Sequence, residues 1–149
     1  MNLKNYTSEV PASTSMARIE KYLVEAGATD ISKKYEGGIC IAIRFRIMFQ
    51  DMKPLFFELP ANVDACFKVL WQEIKKPLDG TKQRITQQAE RTAWKIISDW
   101  VEIQLSMIHL QQAEMIQVFL PFVWDPATEQ TFFEKIKSNS YRALLPVAD

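Results

Sequence analysis

Residues 81–110 read TKQRITQQAERTAWKIISDWVEIQLSMIHL. Wound at about 100° per residue, this stretch makes a helix with two adjacent apolar stripes. Ala93, Ile96, Trp100, Ile103, Met107 and Leu110 form one; Trp94, Ile97, Val101, Leu105 and Ile108 form the other. Together they span roughly 220° of the circumference, about twice the stripe of an ordinary surface helix. The remaining polar strip carries Arg91, Lys95, Ser98, Asp99, Glu102, Ser106 and His109. Such a helix needs cover on more than one side, so the rest of the chain, or a second copy, is expected to enclose it. Trp94, Val101, Gln104 and Leu105 are the candidate surface between copies. Gln104 falls inside the apolar arc, where a buried amide must find partners. A register-fixing contact in an oligomer and a bond to a nearby loop backbone both satisfy it.

Upstream, Lys75 to Gly80 is a polar linker, with Thr81 as a possible cap for the long helix. Before it, Val63, Cys66, Phe67, Leu70, Trp71 and Ile74 follow helical spacing behind Asn62, a good N-cap. Earlier still comes the clearest alternation in the chain. Ile39, Ile41, Ile43, Phe45, Ile47 and Phe49 point one way; Cys40, Ala42, Arg44, Arg46 and Met48 point the other. A preceding strand, about 30–35, joins it through Gly37-Gly38, and a third runs over about 54–59. Parity decides the hairpin. A two-residue loop would pair Tyr35 with Cys40 and Ile31 with Arg44, whereas a three-residue loop with a bulge near Gly38 puts Ile31 and Tyr35 on the same face as Ile41 and Phe45. The bulged version is expected. In front of the sheet, Met16, Ile19, Tyr22, Leu23 and Ala26 mark a first helix, capped at Ser13 or Thr14 and stopped by Gly27. Residues 1–12 read as an extended arm.

Downstream, the pattern falters at Gln111-Gln112. AEMIQVFL forms a short helix up to Pro121, Asp125-Pro126 suggests a cap and first residue for a last helix, and the tail from Ser138 to Asp149 is expected to be loosely held. The expectation is a single α+β domain over residues 1–149. It has an N-terminal helix, a three-stranded antiparallel sheet, and a helical C-terminal half built on one long buried helix, about 81–110.

Composition narrows function mainly by exclusion. A hydrophobic share of 48% and a charged share of 24% are those of a soluble globular domain. Eighteen basic residues balance eighteen acidic ones, so no global field draws the chain to nucleic acid or an anionic membrane. The N-terminus has no apolar run of the kind a signal peptide needs, and no segment nears the ~18 apolar residues of a membrane span. Cys40 and Cys66 have no metal-like spacing and read as reduced packing residues of a cytoplasmic protein. Four glycines leave no phosphate-cradling loop. Glu102, Ser106 and His109 suggest an acid, nucleophile and base, but they share one helical strip with no oxyanion donors beside them. No catalytic residue, metal or cofactor is expected.

The candidate binding residues are cations and one carboxylate. Arg44 and Arg46, with Lys33 nearby, could hold phosphate or an acidic partner on a sheet face; the blander reading, a solvated face of a one-sided sheet, is preferred. Arg91 and Lys95 belong to a basic run that could follow a phosphate backbone. Their strip also carries Asp99, four residues from Lys95, so a salt-bridged surface is preferred there.

A resemblance adds a setting. Tyr6-Thr7-Ser8, Ser15 followed by Ile19-Glu20, Gly27-Ala28 and Leu59-Pro60-Ala61 resemble small uncharacterised single-domain proteins encoded by bacteriophages, prophages and related mobile elements. The likeness is densest in Gln88-Ala89-Glu90-Arg91-Thr92-Ala93-Trp94-Lys95, in Asp99-Trp100-Val101, and from Phe119-Leu120-Pro121 through Val123-Trp124-Asp125. It implies a bacterial cytoplasm hosting phage genes and carries no activity over. The functional expectation is a non-enzymatic, homo-oligomeric accessory protein that binds a host protein or small nucleotide ligand, as a defence inhibitor would. The alternative is a nucleic-acid-binding accessory of phage replication or recombination. No membrane partner is expected.

Overall fold

A computed structural model describes residues 2–148. Helix α1 (Ala12–Glu25) leads into strands β1 (Ala28–Glu36), β2 (Ile39–Ile47) and β3 (Leu55–Pro60). Helices α2 (Val63–Gln72), α3 (Thr81–His109) and α4 (Met115–Phe119) follow. A 3-10 turn at Leu120–Phe122 then enters β4 (Val123–Asp125), β5 (Gln130–Thr131) and α5 (Phe132–Ser138). The five strands form an antiparallel meander in chain order. The architecture is α+β, with two short strands added to the three expected.

The core lies between one face of the sheet and the helices. Ile43, Phe45, Ile47, Phe57 and Leu59 meet Ile19, Leu23, Trp94, Val101 and Phe119 there, all of them buried. Phe45 stacks on Phe57 at 4.9 Å, and Phe119 meets both edge-on, which adds orientation to the burial. Trp94, the largest buried side chain, donates its indole N–H to the Cys40 carbonyl at 3.0 Å, so its polar atom is satisfied.

That bond marks the place where the hairpin departs from expectation. Gly37 and Gly38 form a two-residue turn with φ of +56° and +79°, the left-handed pair such a turn demands. Tyr35 therefore pairs with Cys40, as a two-residue loop requires. The extra residue sits further in: Lys34 pairs with Ala42, and Ile41 has no partner on β1. Ile41 gives its carbonyl to the Ala61 N–H at 2.8 Å instead. The bulge thus restores Ile31 opposite Phe45, but from within β2 and not from the loop. Beyond it the alternation reverses, burying Cys40 and leaving Tyr35 exposed.

Helix α3 is enclosed over its first two-thirds and bare at its end. Trp94 and Val101 are wholly buried within the single chain, so they have no surface to offer a second copy. Ile103, Met107 and Leu110 are 54%, 37% and 68% exposed, so the rest of this chain does not cover the end of the helix. Length explains the overhang. Twenty-nine helical residues reach about 43 Å, against about 30 Å for a nine-residue strand. The polar strip is also narrower than expected, because Ser98 is buried.

Several ends differ from their expected signals. The long helix is preceded by Gly80 at φ +82°, with Thr81 already helical and accepting the Leu78 N–H on its hydroxyl. Helix α1 starts earlier than Ser13, its first N–H groups turned to the Pro11 carbonyl. Asp125 ends β4, where its carboxylate accepts the Ala127 N–H and pairs with Lys135; the last helix is capped by Thr131 and Glu134 instead. Asn62 caps α2 as expected, accepting the Ala65 N–H at 3.0 Å.

Candidate functional site

The cationic residues singled out from the sequence separate into three places. Lys33 pairs across the ladder with Ile43 and so lies on the helix side of the sheet, where it meets Glu20 of α1 at 3.0 Å. That hydrogen bond, ahead of the opposing effect of burial, raises its ammonium pKa. Lys33 is thus a brace between layers and no neighbour of Arg44 and Arg46, contrary to expectation.

Arg91 and Asp99 hold the N-terminal arm against α3, and Lys95 pairs with Asp99 along the helix as its spacing predicts. Asp99 pairs with Lys95, accepts the Asn5 amide at 2.9 Å, and lies 3.4 Å from the Lys4 ammonium. Arg91 and Gln88 both donate to the Ser8 carbonyl, at 3.2 and 3.0 Å, and Thr92 donates to the Asn5 carbonyl at 2.9 Å. Burial would raise the Asp99 pKa, but the hydrogen bonds from Lys95 and Asn5 and the nearby ammonium charges hold it below the usual carboxylate range. These three residues, proposed from sequence as binding groups, are engaged in internal contacts. The arm is folded, with turns at Leu3–Tyr6 and Asn5–Ser8, not extended.

Arg44 and Arg46 occupy the sheet face turned away from the helices, and here the strands assemble a site. Cross-strand pairing places Asp30, Arg46, Phe56 and Trp124 in one row over β1, β2, β3 and β4. Arg44 and Glu58 face each other in the next row. The Arg44 guanidinium lies 4.4 Å from the Trp124 ring centroid, a cation–π contact, while its Nε donates to Glu58 at 2.6 Å. Arg46 donates through Nε to the Thr29 hydroxyl at 3.1 Å and through Nη2 to Asp30 at 2.6 Å. Phe56 is 41% exposed beside them, whereas its neighbour Phe57 is fully buried on the other face. Each arginine is oriented through part of its fork. With five N–H donors on each guanidinium, both retain donors for another molecule.

No family model, curated protein or solved structure matches this chain.

Sequence reasoning found the two arginines but not what surrounds them. The alternation of Leu55, Phe57 and Leu59 already implies that Phe56 and Glu58 share the opposite face. Trp124 carried no such signal, since β4 is three residues long and too short to show a period. Glu102, Ser106 and His109 line a groove of about 560 Å³ with Tyr22 and Glu25, at the overhanging end of α3. Ser106 donates to the Glu102 backbone carbonyl at 2.8 Å and not to His109. Leu105, expected at an oligomer interface, lines this groove as well; Gln104 is half-buried nearby. Both cysteines are free and buried, and burial raises both thiol pKa values. Among the described residues, no helix is long and apolar enough to cross a membrane.

Proposed function

We propose that this chain is a non-enzymatic accessory protein of phage type that works by binding, and that its ligand docks on the open face of the sheet. The observation that carries this reading is the row of Arg46, Phe56 and Trp124 across three strands, with Arg44 stacked on the tryptophan. Arginine and large aromatics are the side chains that dominate binding energy at recognition surfaces. Phe56, 41% exposed, gains less from folding than buried Phe57. The ion pairs to Glu58 and Asp30 fix the arginines beforehand, which lowers the ordering cost of binding.

The reading is tested by a photo-crosslinking phenylalanine analogue installed at Phe56 or, as a control, at exposed Glu73. Expressed in an infected bacterium, the chain labelled at position 56 is expected to give a discrete adduct that the control lacks. The absence of a position-56 adduct, or the same adducts from both sites, would remove the reading.

A second reading is supported by the bare end of α3. Ile103, Met107 and Leu110 together leave apolar surface that a second copy could cover. Light scattering at micromolar concentration is then expected to give a dimer that Ile103→Asp returns to a monomer. A monomeric wild-type chain would exclude it.

A further inference from the structure

We infer that the ligand of the open sheet face is a single strand of nucleic acid; this rests on the docking reading above and names its partner. Three features of the face agree on it. First, Phe56 and Trp124 are direct cross-strand neighbours, and aromatic rings side by side on an antiparallel sheet are platforms for unpaired bases. Phe56 offers the open ring, while Trp124 has Arg44 over one face. Second, cations lie among the rings: Arg46 is beside Phe56 in the row, and Arg44 rests on one face of Trp124. Arg44 and Arg46 are on β2, one strand from Phe56, and Lys34 shares their face by register on β1. A base seated on Phe56 would leave its phosphate over β2, within reach of guanidinium forks suited to phosphate oxygens. Third, the row is long. With strands about 4.8 Å apart, Asp30 and Trp124 are about 14 Å from each other, a span for successive nucleotides.

Asp30 and Glu58 are the counterweight. Their carboxylates lie on the same face and would repel a phosphate placed directly above them. They engage Arg44 through Nε and Arg46 through Nη2, leaving the other terminal nitrogens for the strand. Their presence sets the expected strength at a modest level, that of two neutralised phosphates and one or two stacked bases. A protein partner would use the same aromatics and arginines, and the test below separates the two.

The test uses the full chain and a fluorescein-labelled strand of fifteen thymidines, read by fluorescence anisotropy. Micromolar binding is expected at low salt. With two phosphates neutralised, affinity should fall roughly sevenfold between about 50 and about 200 mM salt. Phe56→Ala should weaken binding about tenfold or more through lost stacking, with the melting temperature unchanged. Arg46→Gln should reduce the salt slope by about 0.7. Thymidine monophosphate should fail to displace the strand at comparable concentration; displacement by it would overturn the single-strand assignment. No anisotropy change at 100 µM protein (roughly the weak limit of non-specific binding), or binding indifferent to Phe56→Ala, would overturn it too. If the strand does not bind while the position-56 crosslink captures a protein, the docking reading stands and this inference falls.

Discussion

Phe56 and Phe57 are chemically identical neighbours on β3, and the sheet sends them to different tasks. Phe57 is fully buried, stacked on Phe45 at 4.9 Å and met edge-on by Phe119. Phe56 is 41% exposed, between Arg46 and Trp124 on the far side. The inner face is apolar almost throughout and closed by α1, α3 and Phe119; the outer face mixes aromatics with oriented ion pairs, bordered by α5 at the Glu58 end and open at Phe56. The contrast shows that hydrophobicity alone does not identify a core residue. What separates the two is register, since a shift of one residue would exchange them.

The difference can be broken most severely from the inside. Phe57→Ala is expected to cost about 3–5 kcal/mol, because the cavity is lined by rings already held by one another. Chemical denaturation would measure it as a lower midpoint at unchanged slope. Next comes Trp94→Phe, which keeps an aromatic ring but leaves the Cys40 carbonyl without its donor at the bulge. A loss of about 1–3 kcal/mol is expected, and the same denaturation series checks it.

Asp99 gives a smaller, pH-dependent effect, since it fastens the arm and not the sheet. Its folded pKa lies below the ordinary 3.8, so its stabilisation is present above that value and disappears as pH falls through the depressed one. Asp99→Asn should cost about 1 kcal/mol at neutral pH. It should also flatten the stability profile on the acid side of 3.8, which denaturation midpoints between about pH 2 and about pH 5 would show. The smallest effect on stability belongs to Phe56→Ala, expected within about 0.5 kcal/mol of wild type while the binding described above is lost. A large destabilisation there would make Phe56 a structural residue and erase the distinction between the faces.

Much of this architecture is legible in the sequence because its period is long enough to read. The 29 residues of α3 repeat their stripe many times, and β2 alternates over nine. What escapes is set by local exchanges that have no period. The bulge at Ile41 depends on a carbonyl taken by Ala61 and a neighbouring one taken by Trp94, both distant in sequence. Strand β4 is recognised only by the edge it completes. Asp125-Pro126 imitates a helix start, yet Asp125 spends its carboxylate on a turn and on Lys135. The true signal was present six residues later, as Thr131 with Glu134 three positions on, the spacing of a capping box. In the candidate site, Arg44 and Arg46 stand out as charges within an apolar alternation. Trp124 joins them only through tertiary pairing. The Lys95–Asp99 pair is legible from its spacing, whereas Arg91 looks available in one dimension and it takes the folded arm to engage it.

Hydroxyl-radical footprinting of the purified chain, resolving Phe56 from Phe57 by peptide fragmentation, tests most directly whether the sheet has one closed and one open face. Phe56 and Trp124 should be oxidised in the native state while Phe57 and Phe45 stay protected until the protein unfolds. Equal protection of Phe56 and Phe57 would mean that the outer face is covered, and the proposed working surface would not exist.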